Sequence, residues 1–276
     1  MIVRRRSDSF ASHRFFWSRQ MTDEILVERA DGVMAITLNR PNKKNAITSV
    51  MYAAMTEALE DARDDAAVRA IVIRGAGGAF SAGNDLEDFV KSPPMGDDAP
   101  VLRFLRSIST APKPVVASVA GVAVGIGTTL LLHCDLVYAA DSATFSLPFT
   151  QLGLCPEAAS SMLLPRLAGY QLAAEKLLLG EAFDAREAHR MGIVNRLLPA
   201  GEVDAFALAQ AAKLATLPAS SLRVTKRLMK QAGDQEVAQR IKEEVVHFGK
   251  MLLAPEAREA MTAFLQKRKP DFRQFD

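Results

Sequence analysis

Little in this sequence serves redox, metal or membrane chemistry. Two cysteines, Cys134 and Cys155, sit in apolar contexts without metal-ligand spacing, which predicts a reduced, intracellular chain. The four histidines, His13, His133, His189 and His247, are scattered, and neither H-E-x-x-H nor C-x-x-C occurs, so no metal is expected. No uninterrupted apolar run reaches the roughly 18–20 residues that span a bilayer, so no membrane segment is expected. G-x-x-x-x-G-K-[ST] is absent, and a dinucleotide fingerprint starting at Gly125 fails at Leu130, which excludes a P-loop and disfavours a dinucleotide site. Charge of either sign is hardly in excess: the net value of +2 argues against a dedicated nucleic-acid surface.

What is present is material for one large core or two unequal lobes, with 49% hydrophobic and 24% charged residues in 276. Residues 1–20 stand apart. They carry Arg4, Arg5, Arg6, Arg14 and Arg19 against Asp8, many serines and the single tryptophan, Trp17. That composition resembles a transit-type extension; it equally suits a disordered leader or an upstream start before Met21. No role in the fold is expected of it. A β/α core is expected over residues 21–200 and a helical C-terminal region over 201–276.

Within the core, alternation around Asp31-Gly32 predicts a hairpin, Ile25–Arg29 with Val33–Leu38. Thr48 is placed to cap a helix running to about Arg63, with Met51, Met55, Leu59 and Ala62 on one face. Ala70–Ile73 reads as a buried strand, Lys91–Pro100 as a Pro/Gly/Asp loop, and Val101–Ser109 as a helix. Pro156–Leu167 reads as a helix with Pro156 in its first turn. Helices are also expected at Gln171–Leu179 and Asp184–Met191, and a last strand at Ile193–Leu198. Beyond Gly201 three helical segments are expected: Glu202–Leu217, Ser221–Lys250 with a break at Gly233, and Glu256–Arg268.

Two glycine-rich turns carry the chemistry. One is Gly75–Leu86. The other lies in Lys113–Tyr138, where the strand Val115–Val119 passes through Gly121, Gly125 and Gly127 into an apolar run, Thr128–Leu132, that reads as a buried helix. Backbone N–H groups at such a junction can hold negative charge on a phosphate or a developing oxyanion; the same glycines also serve tight helix–sheet packing.

Taken together, LNRPNKKNAI (Leu38–Ile47), GAFSAGNDL (Gly78–Leu86), KPVVASVAGVAVGIG (Lys113–Gly127), HCD (His133–Asp135) and AFLQKRKPDF (Ala263–Phe272) resemble the crotonase (enoyl-CoA hydratase/isomerase) superfamily, in order and spacing, from about Ile25 to the C-terminus. The resemblance implies an α/β fold, a crotonase (ClpP-like) spiral of β-β-α units with a helical C-terminal trimerisation region. It implies an acyl-CoA thioester as substrate, no separate cofactor, and a homotrimer or a dimer of trimers. It points to fatty acid metabolism, in the cytoplasm of a bacterium or an organellar matrix of a eukaryote. By motif match, the oxyanion donors would be the backbone amides of Ala82 and Ile126, where the family usually has glycine at the second place. CoA would lie along Lys43, Asn45 and Ala46 and along Ala82, Gly83, Asn84 and Asp85. Phe264 and Lys267 match the family's F-x-x-K pair, with Lys267 either near a CoA phosphate or part of a solvated basic tail.

The two glutamates of the family's hydratases are replaced by Thr129 and Phe149, positions then assigned to the acyl pocket. Glu157, in LGLCPEAASS, is a different carboxylate. Read alone, it suits a first-turn glutamate favoured by a helix dipole. PFTQLGLCPEAASS, however, resembles the peroxisomal-type Δ3,Δ2-enoyl-CoA isomerases, where that acid is the catalytic base; Ala158 stands where they have glycine. The resemblance implies a double-bond shift from 3-enoyl-CoA to 2-enoyl-CoA with Glu157 as base. Alternatives are hydration or another crotonase-fold reaction using a different carboxylate, and a non-catalytic CoA-binding homologue. Asp85 is expected to cap a helix, Asp135 to order a turn or a subunit contact, and His133 to pack.

Overall fold

Apolar alternation on both sides of Asp31-Gly32 folds into the expected hairpin. The computed structural model describes residues 17–91, 96 and 98–275; residues 1–16 and the centre of the Lys91–Pro100 loop lie outside the described residues. Strands β1 (Trp17–Thr22), β2 (Ile25–Ala30) and β3 (Val33–Leu38) form an antiparallel meander, with Ile25 opposite Leu38 and Trp17 opposite Arg29. The boundary drawn after Gln20 is therefore corrected: residues 17–20 belong to an edge strand. Backbone pairing needs no apolar periodicity, so composition alone missed it.

Helix α1 (Ser49–Asp64) follows, capped by Thr48, whose Oγ1 accepts the Met51 amide. It buries the apolar stripe Met51, Met55, Leu59 and Ala62. From β3 onward the main sheet grows in parallel. Next come β4 (Ala70–Gly75), then α2 (Leu86–Lys91) and α3 (Pro100–Ser109), then β5 (Val115–Val119). A short β6 (Val122–Val124) and α4 (Ile126–Thr129) lead to β7 (Leu136–Ala140) and β8 (Thr144–Ser146). Helices α5 (Ser160–Ala168) and α6 (Tyr170–Leu179), a two-residue β9 (Phe183–Asp184), α7 (Ala185–Arg190) and β10 (Arg196–Leu198) complete the core. The seven-stranded sheet runs β1-β2-β3-β4-β5-β7-β10; β6, β8 and β9 form a second, small sheet. Each turn of chain thus adds one strand to the large sheet and, from β5 on, one short strand beside it. This mixed α/β core is the spiral architecture expected.

The C-terminal part is all helix: α8 (Val203–Thr216), α9 (Ala219–Lys230), α10 (Asp234–Leu252) and α11 (Pro255–Leu265). Four helices replace the three segments expected, because the break at Gly233 separates α9 from α10. Helix α8 lies on β4, β5 and β7 and closes one face of the sheet.

Two local readings are corrected. The buried helix expected over Thr128–Leu132 is one turn of α4 continuing as a 3-10 turn, Leu130–His133. It is too short to act through a macrodipole. The helix expected from Pro156 starts only at Ser160, because Ala158 and Ala159 both adopt left-handed φ, 61° and 57°. Glu157 is therefore not a first-turn residue.

Among the described residues, no helix is long and apolar enough to cross a membrane, and no three His, Cys, Asp or Glu side chains gather to hold a metal.

Candidate active site

The two glycine turns meet edge to edge. Ser81 donates its amide to Val122 and its carbonyl accepts from Val124, both at 2.9 Å. On the other side Ile47 donates to Gly83 O at 2.8 Å and Asp85 donates to Ile47 O at 2.9 Å. The segment 81–85 is thus sewn between β6 and the chain entering α1. The approach is close: a Cβ on Gly83 would stand 2.9 Å from the Val124 carbonyl, so only glycine fits.

This pairing fixes which amides are free. The Ala82 N–H donates to Lys44 O at 2.8 Å and is not available to a ligand. Because the parallel bridge at Ile47 uses Gly83 O and Asp85 N, the intervening Asn84 N–H faces the opposite way. Among the described residues neither the Asn84 nor the Ile126 N–H has an acceptor, and both residues line one cavity of about 700 Å³. The Ile126 amide is thus free, whereas the Ala82 amide is spent on the scaffold, and the free amide of that turn belongs to Asn84, two residues on. A motif match locates a turn, but only the ladder register tells which amide points outward.

The cavity is lined by Asn84, Ile126 and Glu157, by the aromatic rings of Phe89, Phe149, Phe248 and Phe264, and by Arg268 and Lys269. Glu157 is the one carboxylate among its described lining residues. Its Oε1 is buried without a hydrogen-bond partner. Burial, followed by the charge of Glu244, pushes its pKa up to about 8, against the pull of the Asn84 carboxamide. A carboxyl poised near neutrality in an apolar pocket can both take and return a proton.

Asn84 is oriented from behind. The Tyr52 hydroxyl, on α1, lies 2.5 Å from Asn84 Oδ1. Burial, reinforced by Glu157 and Asp88, raises the Tyr52 pKa well above its ordinary value, so Tyr52 is the neutral donor. With Oδ1 accepting from Tyr52, the Asn84 amide nitrogen is the end that faces Glu157. On the far side of the same turn, His133 Nε2–H donates to Ala158 O at 2.9 Å. Burial pushes the His133 pKa down to about 4, so the ring is neutral and packs, as expected.

Comparisons with known proteins identify the family of the chain. The family model described as "Enoyl-CoA hydratase/isomerase" matches residues 28–275. The chain belongs to the enoyl-CoA hydratase/isomerase family. It is 39% identical over 255 residues to enoyl-CoA delta isomerase 2 of Rattus norvegicus, covering 90% of this chain but only 65% of that protein. It is 32% identical over 253 residues to the 2,3-dehydroadipyl-CoA hydratase of Escherichia coli K12, covering 91% of this chain and 98% of the relative. Among solved structures, the enoyl-CoA hydratase/isomerase of Pseudoalteromonas atlantica T6c superposes with a TM-score of 0.87 at 41% identity, over 90% of this chain and 99% of that one. Family relatives thus include both isomerases and a hydratase.

Several family-matched positions serve the scaffold here. Asn45 is fully buried; its Nδ2 donates to Ala76 O and Ala79 O at 2.9 and 2.7 Å and its Oδ1 accepts the Arg40 amide at 2.8 Å. Its side chain is used up on the loop, which corrects its assignment to CoA. Asp85 likewise caps α2 through the Asp88 amide and pairs with Arg40 at 2.6 Å. Lys43 is exposed, and neither it nor Ala46 lines the cavity. Thr129 is fully buried and does not line it either, whereas Phe149 does. At the C-terminus Phe264 lines the cavity; Lys267 is exposed beside it, and the basic lining residues are its neighbours Arg268 and Lys269. Asp135 holds the Val115 amide at 2.7 Å and the buried Lys226 at 2.6 Å, so it orders the strand junction within the subunit.

Sequence reasoning missed Tyr52 and Glu244. Each interrupts a buried helical stripe with a polar group: Tyr52 beside Met51 and Met55, Glu244 between Ile241 and Phe248. A polar group on an apolar stripe was the available signal.

Proposed function

We propose that the protein shifts the double bond of a 3-enoyl-CoA thioester to the 2-position. The thioester oxygen sits between the Asn84 and Ile126 amides. Glu157 removes a proton from C2, the C2–H electron pair moves into the thioester, and a dienolate forms with its charge on that oxygen. The same carboxyl then delivers its proton to C4, leaving the double bond between C2 and C3. Two preorganised donors suit this charge; losing one such donor typically costs about 2.7–4 kcal/mol.

The observation that carries this reading is that Glu157 is the single carboxylate among the described residues lining the cavity. Hydration needs one group to activate water and another to protonate carbon, and isomerisation needs one group for both transfers. Thr129 and Phe149, where the resemblance places hydratase glutamates, offer no carboxylate. Glu244, the other buried acid nearby, is engaged by three donors and does not line the substrate cavity.

The test is a substrate screen with 3-enoyl-CoA and 2-enoyl-CoA thioesters beside direct measurement of CoA-ester binding. Conversion of the 3-enoyl ester much faster than hydration of the 2-enoyl ester is expected. Fast hydration without isomerisation would overturn the reading. Binding without any turnover would make the protein a CoA-ester binder.

A further inference from the structure

Helix α5 begins without a cap of its own. Its N-cap residue is Ala159, which has no side-chain acceptor, and the two residues before Ser160 are alanines in left-handed backbone. For residues with a Cβ such backbone is strained. The missing acceptor arrives from α10, more than eighty residues along the chain. Glu244 Oε2 accepts the Ala159 amide at 2.6 Å; Oε1 accepts the Ser161 amide at 3.1 Å and the Ser161 hydroxyl at 2.5 Å. The Ser160 hydroxyl and amide meanwhile hold the Glu157 carbonyl at 2.6 and 3.0 Å. The turn carrying Glu157 is therefore clamped by a carboxylate at the N-cap amide, Ala159, and the second helical amide, Ser161.

That clamp is also a charge beside the base. A cavity of about 30 Å³ has both Glu157 and Glu244 in its wall, with otherwise apolar neighbours that include Leu105, Val245 and Phe248. In such surroundings two carboxylates repel strongly. Burial raises the pKa of Glu244 as well, but three donors converge on it and oppose that rise, whereas Glu157 has one oxygen unpartnered; of the pair Glu157 takes the proton and Glu244 keeps the charge.

We infer that Glu244 is a positioning residue for Glu157: it caps the turn that aims the base and, as a fixed anion behind it, strengthens its hold on a proton. The inference rests on Glu157 being the proton carrier. The other groups bearing on Glu157 are Tyr52 from α1 through Asn84, and the Cys155 thiol, which burial keeps neutral with a pKa raised to about 11. Arg240, on α10, acts on Glu244, and Asp88 acts on Tyr52. Glu244 is thus the fixed charge in direct opposition to Glu157.

The test is the titration of Glu157 itself, read as the infrared carboxyl band that Glu157→Gln abolishes, in the full-length protein. It is paired with the pH profile of kcat/KM. Glu244→Gln is expected to lower the Glu157 midpoint by about one unit or more. The acid limb of kcat/KM should move with it, and the plateau rate should fall as the base weakens. Glu244→Asp keeps the charge and shortens the cap; it should lose thermal stability yet hold the midpoint near that of the parent. A folded Glu244→Gln with an unchanged midpoint would overturn the inference and leave Glu244 a cap alone. If Glu244→Gln does not fold, Ser161→Ala decides. With one donor fewer Glu244 competes for the proton, so the Glu157 midpoint must fall, and no movement counts against the inference. The infrared band reports on the pair even if isomerase activity proves absent, so this result and the fate of the proposed reaction remain separable.

Discussion

The Tyr52 hydroxyl donates to the Asn84 carboxamide at 2.5 Å, joining the first turn of α1 to the turn that supplies a free backbone amide. One residue thereby does two things. Its backbone N–H faces the cavity, and its side chain, turned by Tyr52, faces Glu157.

Removing only that hydroxyl should expose the coupling. Tyr52→Phe keeps the ring, which packs with centroids 5.5 Å from Phe104. A net hydrogen bond of about 0.5–1.5 kcal/mol corresponds to a roughly 2–10-fold fall in kcat. Without an oriented Asn84 the carboxylate of Glu157 loses its donor, so the acid limb of kcat/KM should move to higher pH, opposite to the shift expected for Glu244→Gln. An unchanged limb would mean that Asn84 holds its orientation unaided.

For Glu157→Gln, isomerisation should fall by roughly 10²–10⁴-fold, and exchange of C2 protons with deuterated solvent should stop. Binding of the CoA ester should persist, since the amide keeps the shape. Near wild-type isomerisation in the variant would refute the mechanism.

The same substitution has a stability signature. Glu157 titrates near 8 in the folded chain, above its ordinary 4.5, so the folded state binds the extra proton between these values. Stability linked to this group is fully present below about 4.5 and is lost as pH rises through 8. Glu157→Gln should therefore melt like the parent near pH 5 and several degrees higher near pH 9. Parallel melting curves at both pH values would show that burial does not hold the proton.

Asn45→Ala should act through the scaffold. It removes two donors from buried carbonyls and an acceptor from the Arg40 amide, at a backbone φ of 56° that asparagine tolerates better than alanine. A loss of about 2–4 kcal/mol of stability is expected in urea titration, with CoA-ester affinity changed less than stability. Selective loss of affinity in a chain of full stability would restore Asn45 to the binding site.

Assembly is expected to be a trimer or a dimer of trimers. On α10, Phe248 and Leu252 are buried in the subunit, but Val246 is exposed, as is Leu253 just past the helix. Further exposed apolar side chains lie on α6, at Tyr170 and Leu178, and on α9, at Leu228 and Met229. Sedimentation equilibrium should give three or six times the 30.0 kDa chain mass. A stable monomer at micromolar concentration would contradict it.

Local patterns were enough for many elements of the β/α core, while its spiral arrangement was implied by the family resemblance. Alternation around Asp31-Gly32, the cap at Thr48 with its stripe to Ala62, and the short apolar runs at Ile71 and Val115 are events of a few neighbouring residues, set by periodicity and turn chemistry. The two glycine turns were legible as motifs for the same reason, whereas Glu157 stood out only through the family resemblance. What the sequence by itself could not decide was direction and partnership. Whether Ala82 or Asn84 offers its amide depends on register against Ile47, 37 residues before Asn84. That Asn45 serves the loop depends on Ala76 and Ala79 arriving beside it. That the turn at Glu157 is non-helical and charged from behind depends on α10 bringing Glu244 to Ala159 and Ser161. Hydrogen-bond geometry and low-dielectric burial are properties of groups brought together in space, so these features arose only when the chain had closed on itself.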